Sequence, residues 1–211
     1  MTGNILAGMA GLAVGGFLNV LITRLSQEEP FWSGRRPWCQ AAVAMAAGTL
    51  ALALWWRFPG SVLLWVYAPF AAALLVLTVL DLQYFWLPDV ITLPGTLLGL
   101  AGALILPRPG LISALLGAFL GWAFFQGVRW TYGKVTAGQR QGVGEGDAKL
   151  MAFIGAVLGV QALPWVLFSS AVLGCLTGLV VSRGRGRDRF TPIPYGPFLV
   201  VGALWFLFWR M

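Results

Sequence analysis

Apolar stretches about long enough to cross a bilayer follow one another along this chain, with only short polar segments between them. A membrane-spanning helix needs about 20 mostly apolar residues. Such stretches run over 4–23, 40–56, 61–80, 89–106, 111–130 and 195–209. Residues 148–181 are mostly apolar for 34 positions, too many for one ordinary span. Gly159 and Pro164 predict a break there, giving a short sixth span near 148–160 and a seventh near 162–182. Backbone groups in hydrocarbon must be paired within their own segment, so the spans read as helices. The expected fold is all-α, a polytopic helical membrane protein with about eight spans. Composition agrees, since 59% of residues are hydrophobic and 10% charged, against about 25% charged in soluble domains. Disorder is excluded too, because it needs low hydrophobicity and high charge.

The expected organisation is a single integral-membrane domain over 1–211, with short cytoplasmic loops near 24–39, 81–88, 131–147 and 183–193. No Lys or Arg precedes the first stretch and Arg24 follows it. That flank is the reverse of a secretory signal, so a retained helix is expected. Alternating the loops places Arg24, Arg35, Arg36, Arg129, Lys134, Arg140, Lys149, Arg183, Arg185, Arg187 and Arg189 on one side, and Arg57, Arg108 and Arg210 on the other. The 11-to-3 split marks the first side as cytoplasmic. The net charge of +7 then reports topology and contact with anionic membrane lipid, not nucleic acid. Gly95/Gly99, Gly117/Gly121, Gly155/Gly159 and Gly174/Gly178 have the spacing that lets helices approach closely.

The chain has no His. Ser–His and Cys–His catalysis and His-bound zinc are therefore excluded. Its two cysteines, Cys39 and Cys175, cannot make a closed structural zinc site, and no metal is expected. The acidic residues are more informative, because all seven fall on the cytoplasmic side of this topology: Glu28, Glu29, Asp81, Asp89, Glu145, Asp147 and Asp188. Asp81 ends an apolar run, and Asp147 opens the sixth span after Gly142-Val143-Gly144-Glu145-Gly146. One outward and one inward crossing separate them, so they return to one depth and can meet. Two close carboxylates cannot both ionise cheaply, so they share a proton. One can then take a proton from water while the other serves as acid. Glycines before Asp147 would allow unusual backbone and leave room for a substrate strand.

Spacing alone leaves other roles open. Asp147 could be a helix N-cap, and Asp81 could simply terminate a span at the headgroups. Asp89, after Pro88, reads first as an N-cap of the fourth helix. Glu145 reads as a solvated loop residue that could tune the site. Lys149 could pair with a carboxylate or a lipid phosphate. Asn19 lies within the first span, where a polar side chain is expected to hydrogen-bond between helices.

The segment from Gly142 to Leu150, with Gly144, Glu145, Gly146, Asp147 and Lys149, resembles the motif of the type IV prepilin peptidases, membrane aspartyl proteases of the Gly-x-Gly-Asp class. Three further landmarks in the same order resemble that family. They are Gly15-Gly16-Phe17-Leu18-Asn19-Val20 with Arg24, Asp81 with Leu87-Pro88-Asp89 and Thr92-Leu93-Pro94, and Pro192-Ile193-Pro194-Tyr195-Gly196-Pro197-Phe198. The resemblance implies a peptidase of the bacterial cytoplasmic (inner) membrane. It would cleave the basic leader of prepilins or pseudopilins after a Gly at the cytoplasmic face. By motif match the catalytic pair is Asp81 and Asp147. Proteolysis of this kind needs no cofactor. Many members also have a longer first loop with two Cys-x-x-Cys pairs that bind zinc, and they N-methylate the product with S-adenosylmethionine. Here that loop is about fifteen residues with Cys39 alone near its end and lacks the zinc module, so S-adenosylmethionine is implied only if methylation is retained. The alternatives are a bifunctional peptidase and methyltransferase, or a non-enzymatic transporter or assembly factor.

Overall fold

The protein is described by a computed structural model over residues 2–25, 37–135, 144–183 and 193–210. Every regular element among these residues is helical: α1 (Thr2–Leu25), α2 (Pro37–Arg57), α3 (Val62–Tyr84), α4 (Asp89–Ile105), α5 (Leu111–Val135), α6 (Glu145–Leu158), α7 (Leu163–Arg183) and α8 (Gly196–Arg210). A single 3-10 turn, Val160–Ala162, joins α6 to α7. Each apolar stretch of the sequence has become one helix. The expected break falls at Gly159, whose φ of 82° suits glycine. Pro164 does not break a helix; it sits in the first turn of α7, where its missing N–H costs nothing. The expected loop residues Glu28, Glu29, Arg35, Arg36, Arg140, Gly142, Val143, Arg185, Arg187, Asp188, Arg189 and Pro192 lie outside the described residues.

Contacts among the helices gather into two units, residues 1–86 and 87–211. In the first, α1 lies close along α2 through small residues. A β-carbon added to Gly11 would lie 2.6 Å from that of Ala51, and one on Gly15 would lie 2.6 Å from Ala44 Cα. Asn19 Nδ2 donates to Gln40 O on α2 at 3.0 Å, the interhelical bond expected of a polar residue there. The helix α3 begins at Ser61, whose hydroxyl accepts from Leu63 N at 3.2 Å. It ends at Phe85, a left-handed residue (φ 52°) whose N–H donates to Asp81 O at 3.0 Å. A buried seam on α3 reads Leu74, Leu77 and Asp81 at three- and four-residue spacing.

In the second unit α6 is enclosed by α4, α5 and α8. From Asp147 to Leu158 all its residues are buried except Lys149 and Ala152. The expected glycine pairs explain how. Gly95 and Gly99 on α4 seat Phe153 and Val157, and Gly121 on α5 lies against Met151. Gly117 and Gly155 meet backbone to backbone. Gly174 and Gly178 differ, since a β-carbon added there would lie at ordinary distances of 3.4 Å from Tyr195 and 3.9 Å from Ile193. The end of α6 is tied to α5 by Ser113 Oγ, which accepts from Val160 N at 3.2 Å.

Many outward-facing side chains are large and apolar; Trp65 and Ile105 are each 81% exposed and Phe168 is 69% exposed. Such surface belongs in lipid, not water. The segments Ala7–Leu25, Val62–Tyr84, Leu111–Val135 and Val160–Val181 are long and apolar enough to cross a membrane, and α4 and α8 are apolar but shorter.

Candidate active site

Asp147 is the third residue of α6, which starts at Glu145. It is therefore neither the N-cap nor the opening residue that the sequence suggested. The N-cap is Gly144, whose N–H donates to Asp147 Oδ2 at 3.2 Å. This is the reciprocal half of a capping box; the forward half cannot form, because glycine has no side chain. The bond fixes one carboxylate oxygen over the helix start, and only 7% of Asp147 is exposed.

The expected role of the glycines needs correcting. Gly144 has φ −67° and ψ 150°, which any residue adopts. Its contribution is space, since a β-carbon there would lie 3.2 Å from Asp147 Oδ2. At Gly146 a β-carbon would lie 2.8 Å from Leu87 Cβ. The room left by these two glycines is thus occupied by the Asp147 carboxylate and by Leu87.

Asp81 is not the last residue of its helix. Helix α3 continues to Tyr84, and Asp81 is buried in its last turn at 5% exposure. Asp81 and Asp147 are the buried acids among the described residues. Burying a carboxylate is costly unless it is paired or hydrogen-bonded, and buried acids are functional-site candidates on that ground.

The other two described acids form an ion network. Lys149 Nζ donates to both Asp89 oxygens at 2.8 Å and lies 3.4 Å from Glu145 Oε1. Glu145 Oε2 is 3.8 Å from Arg129 Nη1, which also donates to Gln126 Oε1 at 3.0 Å. Asp89 is consequently no N-cap. Pro88 holds that position, and the Asp89 carboxylate turns to Lys149 instead. The network links the start of α4, the latter part of α5 and the first turns of α6, on either side of Asp147 in sequence. Arg129 was legible only as a topology charge, because no spacing rule connects it to Glu145 across the intervening loop.

Tyr195, in the Pro-Ile-Pro-Tyr-Gly-Pro-Phe landmark, precedes α8. Its hydroxyl lies 2.8 Å from Ser170 Oγ on α7. Ser170 is fully buried and donates its one hydrogen to Leu167 O at 3.0 Å. The tyrosine must therefore be the donor in their shared bond. The Tyr195 ring packs edge-on to Phe125 at 6.0 Å and to Phe198 at 6.1 Å. Ser170 carried no sequence signal that separates it from an ordinary helix serine.

Helices of this length with apolar outer faces define an all-α membrane protein. Residues 68–179 match the type IV leader peptidase family. The chain belongs to that family. A prepilin leader peptidase/N-methyltransferase of Burkholderia pseudomallei (strain K96243) is 41% identical over 169 residues, covering 80% of this chain and 52% of that protein. Proteins of the same name from Pseudomonas putida and Pseudomonas aeruginosa are 35% and 33% identical, over 79% and 83% of this chain and 57% and 58% of their own lengths. The chain thus spans about half the length of the curated relatives it matches. No solved structure matches it.

Proposed function

We propose that this protein is a prepilin leader peptidase, an aspartyl endopeptidase of the bacterial inner membrane. Its substrates are prepilins or pseudopilins, cut after a Gly at the cytoplasmic face. Residues 1–211 act as one peptidase domain, because α3 supplies Asp81 and α6 supplies Asp147. The observation that carries the reading is selective burial in a chain of this family. Of four described acids, Asp81 and Asp147 are buried, while Asp89 and Glu145 are exposed and engaged with Lys149.

In the proposed reaction one aspartate is ionised and takes a proton from water. The water oxygen bonds to the scissile carbonyl carbon, and the protonated aspartate hydrogen-bonds the carbonyl oxygen. That proton then passes to the leaving amide nitrogen as the C–N bond breaks. Proteolysis on this scheme uses the two carboxylates and water. Gly144 holds one oxygen of Asp147, and the Lys149 network holds the helix start that presents it.

The test mixes purified protein with a prepilin and reads product mass. Asp81→Asn and Asp147→Asn are expected to lose cleavage by at least about a thousandfold while still folding, because each acts as part of a unit. Asp89→Asn retains turnover. Near-normal cleavage by either of the first two variants overturns the assignment. The relatives' name also joins an N-methyltransferase to the peptidase. A product one methylene heavier than simple cleavage, formed only with S-adenosylmethionine, would extend the function to methylation.

A further inference from the structure

The face of α3 that carries the buried seam continues past Asp81 to Tyr84, a half-buried residue. Leu74, Leu77, Asp81 and Tyr84 follow at three, four and three residues, so they line one face. The seam is apolar at Leu74 and Leu77, both fully buried, and turns polar at its last two members. Tyr84 Oη is buried and has no hydrogen-bond partner among the described residues. A buried hydroxyl left unpaired costs about 1–3 kcal/mol, so such groups ask for a reason. Directly after it, Phe85 takes a left-handed conformation (φ 52°), uncommon for a bulky residue. Backbone strain of this kind gathers at functional sites. Here it ends the helix one residue past Tyr84 and returns the Phe85 N–H to the carbonyl of Asp81. The orphan donor and the buried acid therefore belong to one turn.

We propose that the Tyr84 hydroxyl is a substrate-binding group, donating a hydrogen bond to a backbone carbonyl of the peptide bound beside Asp81. The inference rests on the peptidase reading. A phenol O–H offers one donor, and an extended peptide offers a carbonyl at every residue. The bond is absent from the free protein and present in the complex. Tyr84 is then a specificity-neutral anchor, reading the backbone of any leader and not its side chains.

Tyr84→Phe keeps the ring and removes only the hydroxyl. The free protein loses no partner, so its thermal midpoint in detergent is expected to be unchanged or raised. Cleavage of a purified prepilin is expected to fall about tenfold in kcat/KM, the factor that one net hydrogen bond supplies. In an Asp147→Asn background, which binds without cutting, Tyr84→Phe is expected to weaken prepilin binding by a similar factor. Unchanged cleavage and unchanged binding would overturn the proposal. So would a lowered thermal midpoint, which would show that the hydroxyl has a structural partner or a resident water in the free protein. If the parent protein itself does not cut the prepilin, the peptidase reading fails and the anchor fails with it.

Discussion

The Asp89–Lys149 pair gives the sharpest quantitative test of the ion network around α6. Its N–O distance is 2.8 Å, and the side chains of Lys149 and Asp89 are 23% and 52% exposed. Two unit charges at that separation attract by about 1.5 kcal/mol at the dielectric of water and about 6 kcal/mol at an effective value of 20. Partial exposure and the entropy of holding a lysine chain bring measured surface pairs to about 1 kcal/mol or less. The contact to both carboxylate oxygens favours the upper end of that range. A double-mutant cycle with Lys149→Met, Asp89→Asn and the combination should therefore give a coupling of about 1 kcal/mol in denaturation of the detergent-solubilised protein. A second cycle with Glu145→Gln should give less, because that contact is 3.4 Å long and the Glu145 side chain is 65% exposed. Both couplings should shrink as salt rises. A Glu145 coupling larger than that of Asp89 would refute the geometry. A value near zero for Asp89 would refute the pair.

Other outcomes follow from the same contacts. Gly155→Ala would drive a β-carbon into the Gly117 backbone and to within 2.9 Å of Ala118 N. Backbone cannot rotate away, so a cost near 3 kcal/mol is expected, the upper end for overpacking, seen as a fall of about 6–12 °C in thermal midpoint. Ser170→Ala leaves the Tyr195 hydroxyl without its acceptor, at a cost of about 1–3 kcal/mol. The same change in Tyr195→Phe protein should cost less, and equal costs in both backgrounds would show that the two hydroxyls are not bonded to each other.

The helices were legible because hydrocarbon leaves few choices. An apolar run of the right length has one way to satisfy its backbone, so each stretch became a helix with ends close to those expected. Helix α5 shows the limit. It runs five residues past the apolar stretch, to Val135, because nothing in its polar last turn forces a stop. The candidate acids were also legible, since carboxylates are rare in such a chain. Their local roles were not. Asp89 looked like a cap by position, yet a lysine sixty residues away claims its carboxylate. The glycines before Asp147 suggested unusual backbone, but Gly144 is ordinary in φ and matters for volume. Tyr84 gave no signal at all, because an orphaned hydroxyl is a property of what surrounds it.

The enclosure of α6 bears on how this sequence can drift. Side chains that face lipid need only be apolar, and a bilayer reshapes itself around a leucine or a phenylalanine alike. Helix α6 has no such face from Leu150 to Leu158, apart from Ala152. There hydrophobicity is not a sufficient specification, since its neighbours are close-packed. Substitutions among apolar residues should be tolerated along much of α5 and α7 and resisted along α6. Its fourteen residues answer to the helices around them, and the thickness of a bilayer has little hold on their number.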